Sequence, residues 1–281
     1  MKSSLKARLK NGCIAAPVLV LGVFLLPSWG FLLAIMAVCI LGMLEFYLML
    51  DAANIPNFRY LGVAGALALN LAVFFNCIYQ LGCNSELLVL FLVIFAILLR
   101  QCGQLNFRRT FETVGGTLLG IMYVGFMLSF ITRIMIMDGQ FKGQWLLFYV
   151  LAVIKFSDSG AYFAGSNLGR HKMAPTLSPK KTWEGFIGGI LTGLLVSLIC
   201  FWALDGDFGV VVMRWHDAVL LGLILPGVGA LGDLCESLLK RAAGVKDSSS
   251  VLKGLGGFLD LADSVLPAVA VLYFWSVFFL N

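Results

Sequence analysis

The sequence is poor in charge and nearly empty of histidine. Asp, Glu, Lys and Arg make up 12% of the 281 residues, against about 25% in soluble domains. With 60% of residues hydrophobic, that shortage excludes a water-soluble globular protein, a nucleic-acid binder and a disordered chain. Only two histidines occur, His171 and His216, and the expected topology puts them on opposite sides of the membrane, which speaks against a His-based zinc centre. The seven cysteines are odd in number, widely spaced and mostly within apolar runs, which speaks against a disulfide framework or a CxxC metal site. They read as small apolar packing residues. No GxxxxGK[ST] loop occurs, so a P-loop nucleotidase is excluded. Internal repeats, Ser/Pro linkers and a soluble appendage are also missing, and the longest polar stretches are 165–184 and 236–261.

What the chain does have is apolar runs. Mean hydropathy is +0.95, and the runs are roughly 15 to 20 residues long, enough to cross a ~30 Å hydrocarbon core as helix. Nine spans are expected, at 12–27, 30–49, 60–79, 83–99, 114–132, 144–164, 185–204, 217–235 and 262–280. The fourth is the weakest, because Glu86 stands near its start. Lys2, Lys6, Arg8 and Lys10 ahead of the first run resemble the start of a signal peptide, but no small-residue cleavage site follows, so an uncleaved first helix is expected. The fold class is all-α, a polytopic integral membrane protein of about nine transmembrane helices. About five of these fall in 1–140, and the region 141–281 carries the two polar loops.

Charge placement orients the chain. With the N-terminus in the cytoplasm, sixteen of the twenty Lys and Arg lie on the cytoplasmic side; Arg133, Lys142 and Arg214 lie outside, and Lys155 lies within a span. That asymmetry is a positive-inside signal.

Ionisable residues inside spans are expensive and tend to mark function or pairing. Here they cluster. The sixth span carries Lys155 and Asp158, the eighth ends on Gly232-Asp233-Leu234-Cys235-Glu236-Ser237, and the ninth begins with Asp260 and Asp263, three apart and so on one helical face. Carboxylates from three helices are thereby expected at one membrane level. Pairing of Lys155 with Asp158 at i,i+3 is the bland alternative for those two. Carboxylates and hydroxyls with few imidazoles suit Mg²⁺, which takes oxygen ligands and keeps waters for substrate phosphates.

Cations face this acidic set. In Leu177-Ser178-Pro179-Lys180-Lys181-Thr182-Trp183 the pattern suggests Ser178 as N-cap and Pro179 as first helical residue. Two lysines in a first helical turn oppose the dipole unless an anion sits there, so the segment reads as a phosphate site. A solvated basic loop attracted to anionic lipid is the plainer reading. Gly227-Val228-Gly229-Ala230-Leu231-Gly232 fits GxGxxG, but within a span it signals close helix packing rather than a dinucleotide fold. Gly115-Gly116 to Gly120 is a similar small-residue stretch, permitting contacts within or between chains.

The stretch Ser237 to Asp263, SLLKRAAGVKDSSSVLKGLGGFLDLAD, resembles the signature of the phosphatidate cytidylyltransferase (CDP-diacylglycerol synthase) family. SDSGAYFAG (Ser157 to Gly165), LSPKKTWEGFIGG (Leu177 to Gly189) and Gly232-Asp233-Leu234 with Glu236-Ser237 look like further blocks of it. Glu45-Phe46-Tyr47 is a minor echo. Three positions depart: Leu255 stands where the family usually has His, Leu261 where it has Arg, and Lys253 where it has Pro or Gly.

The resemblance implies a nucleotidyltransferase that joins CTP to phosphatidate, giving CDP-diacylglycerol and diphosphate. By resemblance Asp233 and Asp260 are the leading metal ligands, with Asp158 and Asp263 as further candidates for Mg²⁺ or a second cation. The catalytic set is Asp233, Asp260, Lys181, Lys240, Arg241 and Lys246. Lys172, Ser178, Lys180, Gly256 and Gly257 join the lysines and arginine in substrate binding. The implied partners are CTP, phosphatidate and the bilayer, with no nucleic acid and a homodimer allowed. The implied location is a plasma or inner membrane, with the site facing the cytoplasm. The rival readings are another CTP-dependent lipid kinase and an ion-coupled transporter.

Overall fold

The computed structural model describes residues 22–81, 84–104, 107–245 and 257–280. Among them are eight helices long and apolar enough to cross a membrane: α1 (Ser28–Ala52), α2 (Arg59–Tyr79), α3 (Ser85–Cys102), α4 (Thr110–Met135), α5 (Gln144–Leu168), α6 (Trp183–Ala203), α7 (Trp215–Ala242) and α8 (Leu259–Leu280). Each coincides with an expected span. The first expected span lies outside the described residues except for 22–27, of which 22–25 are helical.

The chain divides into two compact units, residues 1–139 with 240–261, and residues 140–239 with 262–281. In the first, α1 to α4 pack around fully buried aromatics such as Phe46, Tyr47 and Phe74. The Tyr47 hydroxyl donates to the Thr117 carbonyl at 3.0 Å, which satisfies the polar end of a buried ring. A π-helical turn interrupts α4 at Ile121–Phe126. Asn70 Nδ2 donates to the Gly125 and Ala66 carbonyls, both at 2.9 Å, and so provides for the backbone there. The weakest expected span is a full helix because Glu86 is not alone: Arg133 forms an ion pair with it and Asn76 Nδ2 donates to it at 3.1 Å. Gly116 and Gly120 are both used within the chain, against Leu50 and Ile55, and against Phe46 and Tyr47.

In the second unit α5 and α6 form a close hairpin on small residues. A Cβ added at Gly185 would sit 2.8 Å from the Ala161 carbonyl, and one at Gly189 would sit 3.1 Å from the Ala161 methyl. Such faces let backbones approach where no hydrophobic effect drives helices together. Tyr149 Oη and Ser197 Oγ lie 2.7 Å apart, and Ser197 donates to the Ala218 carbonyl of α7 at 2.6 Å.

Two local expectations are overturned. Ser178 and Pro179 do not start a helix. Residues Ser178–Thr182 form a strand, β2, antiparallel to β1 (Lys172–Ala174). Proline is tolerated in this short two-stranded ribbon, where both strands are edges. The helix begins one residue after Thr182, whose side chain accepts from Gly185 N at 3.2 Å as the true N-cap. Glu184 therefore occupies the first turn, in accord with the dipole, and Lys180 and Lys181 belong to the ribbon. The second change is at α7, which continues seven residues beyond the expected boundary at 235. Leu, Lys and Arg are good helix formers, Lys240 and Arg241 complement the C-terminal dipole, and Gly244, at φ +69°, ends the run.

Candidate active site

Three carboxylates converge in the second unit. Asp233 and Glu236 are three apart on α7 and share a face. Asp263 is brought to them by α8, which is not continuous: after the first turn, Leu259–Ala262, Asp263 and Ser264 leave the helix before it resumes at Val265. One carboxylate oxygen from each of Asp233, Glu236 and Asp263 lies within 4.8 Å of the others. Glu236 is fully buried and Asp263 is 8% exposed.

Glycine makes the approach possible. A side chain at Gly232 would collide with the Asp263 carbonyl and sit 2.7 Å from Pro267 Cγ, while one at Gly229 would come within 3.3 Å of the Ser264 carbonyl. The GxGxxG pattern is thus a packing surface, as its place in a span suggests, although Gly227 faces open space.

Cations and hydroxyls surround the cluster. Lys181 reaches from β2 to place Nζ 2.9 Å from Asp233 Oδ2, and the same ammonium donates to the Ala230 carbonyl at 3.0 Å. Strand alternation separates the two lysines: Lys181 is half-buried and Lys180 is exposed, as is Lys172. Ser178 is half-buried on the same ribbon. The ribbon is pinned at its base, where Trp183 N donates to the His171 carbonyl at 3.0 Å. His171 Nδ1 lies 2.7 Å from Glu184 Oε1. On α5, Lys155 Nζ lies 3.6 Å from Asp158 Oδ2, so the i,i+3 pairing is real. Asp158 is nonetheless tied to the end of α8 that carries Asp263, since Ser264 Oγ donates to its Oδ2 at 3.4 Å.

Three carboxylates this close repel one another, and Lys181 contributes one compensating charge. Hard oxygen donors with an adjacent hydroxyl, Ser237, are what a hard divalent cation takes. The residues therefore fit Mg²⁺.

The first unit holds a second acid–base pair. Lys240 Nζ lies 2.7 Å from Asp260 Oδ1, and Gly257 N donates to Asp260 Oδ2 at 2.7 Å. Arg241 stands beside Lys240 at the end of α7. Lys246 and Gly256 lie outside the described residues, as do Lys253 and Leu255.

Of the four expected metal ligands, Asp233 and Asp263 belong to the cluster, Asp158 pairs with Lys155 and is tied to the cluster only through Ser264, and Asp260 is held by Lys240. Glu236 is absent from the expected ligand set. Its signal was available, three residues from Asp233 on an apolar helix, with no reason to be there unless paired.

These features define a class: a polytopic helical membrane protein with a cluster of three carboxylates, two of them buried, met by a lysine ammonium. The comparisons sharpen it. The sequence model of the Cytidylyltransferase family matches residues 6–279. A Bacillus subtilis (strain 168) protein named phosphatidate cytidylyltransferase is 38% identical over 193 residues, covering 67% of this chain and 68% of its own. The protein of the same name from Staphylococcus haemolyticus (strain JCSC1435) is 33% identical over 264 residues, 92% of this chain and 94% of its own. That from Staphylococcus aureus (strain COL) is 40% identical over 176 residues, covering 60% and 62%. The chain belongs to the cytidylyltransferase family and is a membrane-embedded nucleotidyltransferase.

Proposed function

We propose that the protein is a phosphatidate cytidylyltransferase, joining CTP and phosphatidate to give CDP-diacylglycerol and diphosphate. Family membership supports the reaction, and the observation that carries it to residues is the convergence of Asp233, Glu236 and Asp263 with Lys181 at 2.9 Å.

The chemistry asks for little covalent help. A phosphatidate oxygen, already anionic, attacks the α-phosphorus of CTP; the bond from that phosphorus to the α,β-bridging oxygen breaks, and diphosphate leaves. Bringing two polyanions together is the obstacle, so positioning and charge neutralisation dominate. Mg²⁺ held by Asp233, Glu236 and Asp263 would neutralise phosphate charge and polarise the reacting phosphoryl oxygens. The resemblance gives Asp260 a metal role as well, and Asp158 a supporting one. Lys181, anchored by Asp233 and the Ala230 carbonyl, holds its ammonium at the cluster, where the net charge would otherwise repel a nucleotide. Lys240, Arg241 and Lys246 are the proposed clamps for phosphate oxygens, and Lys172, Ser178, Lys180, Gly256 and Gly257 the remaining substrate contacts.

The reading extends to location: a bacterial-type plasma membrane with the site on the cytoplasmic side. Lys/Arg asymmetry supports it, as does the need to receive CTP from water while the acyl chains stay in lipid. Purified protein in detergent, given CTP, Mg²⁺ and phosphatidate, should form CDP-diacylglycerol. Phosphatidate converted to a product carrying the γ-phosphate of CTP would instead make it a kinase.

A further inference from the structure

Glu45 lies far from the signature stretch in sequence, within α1, yet among the described residues it is one of the most buried carboxylates, at 3% exposure. It is aimed at the backbone just ahead of Asp260. Phe258 N donates to Glu45 Oε1 and Leu259 N donates to Glu45 Oε2, both at 2.9 Å. These amides open the first turn of α8, where N–H groups have no partner within the helix. A two-oxygen anion placed there makes two charge-assisted bonds, stronger than neutral ones, and holds the turn in one orientation. The neighbouring turn of α1 is shaped to match. Gly42 faces the Phe258 ring, and an added Cβ there would sit 3.4 Å from the ring and 2.9 Å from Val124. The same short segment supplies Gly257 N, which donates to Asp260 Oδ2. Three consecutive backbone amides, 257 to 259, thus divide between Asp260 and Glu45, and the second fixes the backbone that orients the first.

We propose that Glu45 is a positioning residue for Asp260: it clamps the turn before α8 so that the Asp260 carboxylate is presented in its working orientation. The proposal rests on the metal role assigned to Asp260 above. It predicts that changes at Glu45 act on metal use more than on CTP binding, as loss of a group that orients a metal ligand typically lowers metal affinity by about 10- to 100-fold.

The test uses the full chain in detergent, as wild type, Glu45→Gln, Glu45→Ala and Asp260→Asn. Three quantities are compared: the Mg²⁺ concentration for half-maximal CDP-diacylglycerol formation, Mn²⁺ affinity by electron paramagnetic resonance without substrate, and amide exchange of the peptide covering 257–263. Glu45→Gln keeps one acceptor and the side-chain shape, so it should fold. The expected result is a rise of about tenfold in the Mg²⁺ requirement with the CTP KM changed less than about twofold. Mn²⁺ binding should weaken in parallel, exchange should quicken at 257–259, and excess Mg²⁺ should restore part of the rate. Unchanged Mg²⁺ and Mn²⁺ behaviour in a folded Glu45→Gln and Glu45→Ala would overturn the proposal. So would a loss of activity accompanied by a lowered melting temperature but normal metal affinity. An inactive wild type would sink the cytidylyltransferase reading instead, and Mn²⁺ affinity and exchange would still decide on the clamp.

Discussion

Lys181–Asp233 and Lys240–Asp260 are the same chemical pair set in different surroundings. In the first, Nζ to oxygen is 2.9 Å and the side chains are 21% and 41% exposed; in the second it is 2.7 Å, with 13% and 15%. Asp233 has one oxygen on Lys181 and the other only loosely met by Ser237 at 3.4 Å, beside two further carboxylates. Asp260 has one oxygen on Lys240 and the other on the Gly257 amide, in a turn that Glu45 grips. The difference teaches that a lysine beside an acid serves two purposes here. Lys181 offsets charge at a cluster of three carboxylates, whereas Lys240 also helps to hold a half-buried carboxylate in place.

The largest effects should come from the acids themselves. Asp233→Asn and Asp260→Asn should each lower kcat/KM by about 1,000-fold, equivalent to roughly 4 kcal/mol of transition-state stabilisation, in the CTP-to-lipid assay. Equal and severe losses would show that the two pairs differ in setting and not in necessity. Chelation of divalent ions with EDTA should abolish the same activity, and Mg²⁺ should restore it.

The lysines should separate the pairs. Lys240→Met strips the ammonium from a carboxylate only 15% exposed and should destabilise the protein by about 2 kcal/mol. Lys181→Met removes a more exposed partner and should cost only about 0.5 kcal/mol. Unfolding midpoints in detergent check both; equal costs would erase the distinction. Activity should fall in both variants.

The legibility of the sequence follows the same division. Apolar runs revealed the eight described spans, because hydrocarbon thickness imposes one length on every crossing helix. They missed where α7 ends, since hydropathy stops at Lys240 but helix propensity does not. The ribbon was read as a helix start because Ser178-Pro179 is a good local cap, while the pairing with Lys172–Ala174 that overrides it is not local. Asp158, Asp233 and Asp263 were legible as charges where charge is costly. Glu45 was equally costly, but its partners are backbone amides more than 200 residues away, which no side-chain pattern announces.

A smaller effect tests the glycine face of α7. Gly232→Ala pushes against the Asp263 carbonyl and should cut activity about tenfold while leaving the CTP KM nearly unchanged, because misplacing a catalytic group by a fraction of an ångström is costly. Gly227→Ala, which faces open space, should leave activity within about twofold and add up to about 1 kcal/mol of helix stability.

The most direct test of the central claim is to supply purified wild-type protein with phosphatidate, Mg²⁺ and CTP labelled with ³²P at either the α- or the γ-phosphate, and to follow label into lipid. The account predicts lipid label from the α-position alone, lost in Asp233→Asn and Asp260→Asn. Label from the γ-position, or no lipid label at all from a folded and Mg²⁺-binding protein, would contradict it.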